Sequence, residues 1–138
     1  MRYYIYIDMP TLNGELQNLV QGDYLDIVRN IGNLPTTISK ASFTVETKAK
    51  LTSTSDGTNV VFQKAITTST GAGVGIISDT GGSGTAIVRF ELTNADTILL
   101  TGDTIFYYDI QVLTSSGKIY TPELGVIKVR SERTKSIS

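Results

Sequence analysis

The residues of this chain that could do chemistry are scattered carboxylates, seven tyrosines and one glycine-rich run. Histidine, cysteine and tryptophan are all absent. Without His the commonest general base and metal ligand is missing. Without Cys there is no thiol nucleophile, thiolate metal site or disulfide. Carboxylates remain, and a glycosidase needs two of them about 5–9 Å apart in a sugar-binding cleft. Such clefts usually carry tryptophan platforms. No D-x-[DN]-x-[DN]-G loop occurs, which excludes an EF-hand. "QGDYLD" offers Asp23 and Asp26 as weak oxygen ligands, but turn and edge acids more often accept backbone hydrogen bonds and guard edges. "STGAGVGIISDTGGSGT" holds six of the 13 glycines. It lacks a following Lys-Ser or Lys-Thr, and Gly71, Gly73 and Gly75 do not fit G-x-G-x-x-G. We read it as a flexible hairpin, a short strand between two mobile turns. No enzyme activity, cofactor or metal is expected.

Tyrosine is the remaining functional side chain. Tyr3, Tyr4 and Tyr6 crowd the first expected strand, and Tyr107 and Tyr108 the penultimate one. They could stack on sugars, pack at the core and rim, or touch other subunits. The tail "RSERTKSIS" gathers Arg130, Arg133 and Lys135 beside one acid. It reads as a disordered end or an arm that orders on a neighbour. Tyr3, Tyr4, Tyr6, Tyr107, Arg130, Arg133 and Lys135 are therefore the candidate partner contacts.

The elements that must position these residues are strands. Punctuation recurs about every ten residues ("LNG", "QGD", "GNLP", "TSDGT", "TGD", "SSGK"), with Val, Ile, Thr, Tyr and Phe between. Alternation puts Phe43 and Val45 on one face, then Ala86, Val88, Phe90 and Leu92, then Phe106, Tyr108, Ile110 and Val112. The four phenylalanines fall in four separate expected strands, filling a two-sheet core from both sides. Strands are expected near 2–8, 22–29, 41–50, 58–66, 74–78, 85–92, 104–114 and 117–129. Pro122 should lie on an edge or at a bulge, and Gly125 fits a bulge. "LTNADTILLTGD" predicts one helical turn, with Thr93 or Asn94 as N-cap, Asp96 in the first turn and Gly102 as the stop. Gly117 supplies a hairpin turn. The expected fold is an all-β, immunoglobulin-like antiparallel β-sandwich of 7–8 strands over residues 1–130, with 131–138 as a flexible tail.

Net charge is −1, with no basic footprint for nucleic acid over the fold. The charged fraction of 18% is below the roughly 25% usual in soluble domains, which suits a chain that meets other subunits. "MRYYIYIDMP" lacks a signal-peptide pattern, and no stretch approaches the roughly 20 apolar residues of a membrane helix. A chain made in a cytoplasm and staying soluble is expected, with no membrane partner.

The order of features over about residues 20–130 resembles the small immunoglobulin-like virion structural proteins of tailed bacteriophages. The likeness rests on Gly22-Asp23, Ser39-Lys40-Ala41, the 93–100 turn, Tyr107-Tyr108-Asp109, Gly117 and Gly125-Val126-Ile127-Lys128-Val129. It is looser to the N-terminal domains of phage baseplate upper proteins. The resemblance implies a non-enzymatic virion component, made in the bacterial cytoplasm and used in many copies. It would join other virion proteins of the tail, baseplate or neck, or fibres. The alternatives are a capsid decoration protein, or a carbohydrate- or receptor-binding module on the virion surface with a host-surface glycan as ligand.

Overall fold

The computed structural model of the chain describes residues 12–47, 59–102 and 104–130. They form eight strands and one short helix: β1 (Leu12–Val20), β2 (Leu25–Ile31), β3 (Ile38–Glu46), β4 (Val60–Ile66), β5 (Gly75–Thr80), β6 (Ala86–Leu92), α1 (Asn94–Thr97), β7 (Ile105–Thr114) and β8 (Ile119–Arg130). A large sheet runs β1-β8-β7-β3-β4 and a small sheet β2-β6-β5. The two sheets form a β-sandwich, with a helical turn at the corner between β6 and β7. The expected all-β sandwich is what the chain forms. One pair departs from the antiparallel expectation, since β1 runs parallel to β8.

The alternation read from the sequence is the inner face. Phe43, Val45, Val88, Phe90, Leu92 and Ile110 are wholly buried. The Phe43 ring of the large sheet meets Phe90 of the small sheet at 5.7 Å between centroids and stacks on Tyr108 at 5.3 Å. Each such ring contributes about 1.5–3 kcal/mol through burial. The opposite face is not all solvent-facing, because Thr44, Glu46 and Asp109 are buried there.

Several expectations shift. β2 begins at Leu25 rather than 22, and β3 spans Ile38–Glu46, while residues 48–50 of the expected strand lie outside the described residues. The strand expected at 2–8 lies outside the described residues. β1 was not expected at all, because "LNGELQNLV" reads as a turn followed by mixed polar residues. Its Asn-Gly is not a turn: Gly14 sits in the strand opposite Gly125. The bulge is at Thr121 and Pro122, which together face the single Gln111. Gly125 is therefore not the bulge residue. A Cβ there would lie 1.9 Å from the Gly14 carbonyl oxygen, so the two glycines let β1 and β8 approach.

Candidate functional site

Three clusters of titratable side chains stand out, and each grows from strand register. On the outer face of the small sheet, Asp26 of β2 pairs with Glu91 of β6, and Val28 with Arg89. Tyr24, just before β2, reaches the same cluster. Its hydroxyl donates to Glu91 Oε1 at 2.7 Å, the Gly73 N–H donates to the same oxygen at 3.0 Å, and Arg89 Nη1 donates to Oε2 at 2.6 Å. The Tyr24 bond, then the Gly73 N–H and Arg89, hold the Glu91 carboxyl below its ordinary range despite burial. The same bond, with desolvation and Asp26, pushes the Tyr24 hydroxyl up. A carboxylate saturated by three donors is a poor general base, and a phenol held protonated is a poor nucleophile. What the cluster does offer is a half-exposed aromatic ring in a fixed orientation.

The second cluster joins the sheets. Arg29 of β2 grips Glu123 of β8 with both ends of its guanidinium, at 2.7 and 3.1 Å. The Tyr108 hydroxyl donates to Glu123 Oε2. Burial first, then the Glu123 carboxylate, raises the Tyr108 pKa. The bond to Glu123 likewise raises that of Arg29, against its desolvation. Gly14 lies directly over this group: a Cβ there would fall 2.0 Å from the Tyr108 hydroxyl oxygen. Tyr108 thus crosses three strands, from β7 past Gly125 of β8 to Gly14 of β1.

The third cluster fixes the α1 corner. Thr93 is the N-cap, and a reciprocal capping box links it to Asp96. Asp96 also takes Lys64 of β4 at 2.6 Å, and the same ammonium donates to the Gly73 carbonyl at 2.9 Å. Burial works to raise the Asp96 pKa, but Lys64 and the Thr93 donors outweigh it and lower the value. The glycine-rich segment holds the expected short strand between two turns, and that strand is β5. The segment crosses from the large sheet to the small one, and its first turn is tied by Lys64, Glu91 and the Thr70 hydroxyl, which donates to the Gly75 carbonyl at 2.7 Å. These bonds make it framework rather than a loose turn.

Of the residues singled out from the sequence, Tyr107 is half-buried on the outer face of the large sheet, and Arg130 is exposed at the end of β8. Tyr3, Tyr4, Tyr6, Arg133 and Lys135 lie outside the described residues. Asp23 and Asp26 are exposed, and among the described residues no group of three or more acids could hold a metal. No helix among them is long and apolar enough to cross a membrane.

Two features escaped sequence reasoning. One is a shallow groove of about 210 Å³ on the outer face of the large sheet, lined by Lys40, Ser42, Gln63, Gln111, Leu113 and Ile119 among others. The other is a set of exposed aliphatic side chains at the α1 corner: Ile98, Leu99 and Ile105. "TILLTGDTI" shows apolar residues there but not which of them face outward. No protein-family model matches the chain, and no curated protein matches its sequence.

Proposed function

We propose that the chain is a non-enzymatic, immunoglobulin-like structural subunit of a bacteriophage particle, used in many copies to join other virion proteins. The observation that supports this is where the residues of the family likeness fall. Gly22 and Gly117 take positive φ in the β1–β2 and β7–β8 turns. Thr93 and Asp96 close the capping box, Tyr108 spans the large sheet, and Gly125 opens the close approach to β1. Each of these six serves the frame. The titratable clusters are likewise taken up in binding the sheets and the corner to one another. Such a chain acts through its surfaces, by contacts repeated over many copies.

Quantitative mass spectrometry of purified particles tests the reading. The chain should be present at many copies per particle, and immunogold against an epitope tag should mark one location: tail, baseplate, neck or capsid surface. Particles that lack the chain would overturn it. A glycan-binding module is the second reading, favoured by the fixed, half-exposed Tyr24 ring. Glycan-array binding lost on Tyr24→Ala would support that reading, and an array blank for the natural chain would remove it.

A further inference from the structure

β1 is one strand in sequence and two in its attachment. Leu12–Leu16 pair with residues 123–127 of β8, and Leu19 and Val20 pair with Val129 and Arg130. Between the two parts β1 takes three steps where β8 takes two, so the register shifts at Gln17 and Asn18. An extra residue of this kind interrupts the ladder and bends the strand. Past the shift the strand is firmly held. Leu19 lies in the core, the Gln21 N–H donates to the Arg130 carbonyl at 2.9 Å, the Gln21 amide donates to the Ile98 carbonyl at 3.0 Å, and the Gly102 N–H donates to Gln21 Oε1 at 3.2 Å. Before the shift the described side chains hold less: Gly14 has none, and Leu16 is only partly buried. Among the described residues β8 is the one strand paired with β1, and the pairing is parallel. Parallel ladders are slightly weaker per residue than antiparallel ones, and an edge strand has one ladder rather than two.

What lies beneath Gly14 is polar. A Cβ there would fall 2.0 Å from the Tyr108 hydroxyl oxygen and 2.8 Å from Glu123 Oε2. That hydroxyl donates to Glu123, whose carboxylate Arg29 also grips from β2. Tyr108 and Glu123 are both buried under this cover. Lifting a cover from apolar side chains loses their burial, whereas a carboxylate, a guanidinium and a phenol are solvated by the water that enters. Opening then costs mainly the ladder to β8 and part of Leu16, and a backbone hydrogen bond is worth little net once water replaces it. Segments held in this way open well below the free energy of global unfolding.

We propose that residues 12–16 are a latch over the Arg29–Glu123–Tyr108 clamp, lifting from β8 as a unit about Gln17 and Asn18 while Leu19 and Gln21 keep the strand attached. Closing buries the clamp that joins the two sheets, and opening wets it. Hydrogen exchange of the full chain without denaturant, read by mass spectrometry, tests this. The β8-bonded amides of 12–16 should exchange roughly tenfold or more faster than those of β3 and β7. The change should fall at the register shift, with the Gln21 amide among the slow ones. Gly14→Ala should hold the latch open. Hydroxyl-radical labelling of Tyr108 should then rise severalfold, while exposed Tyr24 labels equally in both chains. Tyr108→Phe takes away the atom that the new methyl meets first, so Gly14→Ala should remove less protection from 12–16 in that background. The proposal is overturned by exchange of 12–16 only through global unfolding, or by fast exchange that runs on through Gln21 with no break at the shift. Unchanged Tyr108 labelling in Gly14→Ala, or an equal loss of protection in the two backgrounds, overturns it too. Should Gly14→Ala fail to fold, the exchange boundary in the unaltered chain decides alone.

Discussion

Gly14 and Gly125 show how much one missing Cβ decides. Each has a neighbour inside 2.1 Å of where a Cβ would stand, the Tyr108 hydroxyl in one case and the Gly14 carbonyl in the other. Backbone cannot yield as a side chain can, so β1 must move away in Gly125→Ala. That variant should lose roughly 1–3 kcal/mol, the usual cost of overpacking. Gly71→Ala is the contrast, because nothing lies within 4 Å of its Cβ position and its φ is not in the left-handed region. It should be neutral or slightly stabilising. Urea unfolding of both separates steric cost from a general penalty for losing glycine. The carboxylates add a pH dependence of definite sign. Glu91 and Asp96 have lowered pKa values in the folded chain. Their stabilisation is therefore complete above the unfolded carboxylate range, near about pH 4, and is lost as pH falls through the folded values. The urea midpoint should drop below about pH 4, and a Glu91→Gln, Asp96→Asn double variant should show a flatter acid limb. An equally steep limb in that variant would assign acid sensitivity to other groups.

At the scale of elements, α1 is the most economical piece. Its four residues cannot be stable through helix propensity alone. The Thr93 cap, the Asp96 side chain and the bridge to Lys64 hold it in place. Thr93→Ala should cost about 1 kcal/mol, as cap losses usually do. Asp96→Ala should cost more, because it removes the other half of the capping box and leaves Lys64 without its carboxylate. If the two variants unfold at the same denaturant concentration, the bridge from β4 adds nothing to the corner. Strand register gives a sharper test. Phe90 has no exposed surface and packs on Phe43 across the sheets. Phe90→Ala should cost about 3–5 kcal/mol by equilibrium unfolding. A near-neutral result would mean that β6 turns its other face inward.

Considered whole, the molecule ties its two sheets together with polar as well as apolar contacts. Arg29 and Glu123 span them near β1, and Lys64 and Asp96 join β4 to the α1 corner. The frame is thereby closed on both flanks. β8 is complete at Arg130, so a chain truncated after that residue keeps every described strand. If the chain is the particle subunit proposed above, the truncated chain should unfold at the midpoint of the full chain and enter particles less well, measured by particle-associated copies in a mixed infection. Equal incorporation would make residues 131–138 bystanders and leave the contacts to the sandwich itself.

Local order was legible in the sequence because it is written in short spacings. Alternation marked the inward faces of β3, β6 and β7 and with them half of the buried apolar core among the described residues, turn punctuation marked β2, β4, β5 and β8, and Thr93 with Asp96 marked the helical turn. Gly117 marked its hairpin for the same reason, since a tight turn is a local demand on φ. Contacts between distant residues left no such trace. β1 carries Asn-Gly and mixed polarity, and becomes a strand only because Gly125, more than a hundred positions later, leaves room beside it. Nor could hydrophobicity rank Ile98, Leu99 and Leu100. Leu100 is buried and its two predecessors are bare, because the direction in which α1 leaves β6 turns one side chain under the corner and two out of it. Composition and period determined that this chain is a sandwich. Which residues face outside at the α1 corner, and that residues 12–20 form a strand at all, was decided only by long-range pairing, where β1 meets β8 and the corner is pinned.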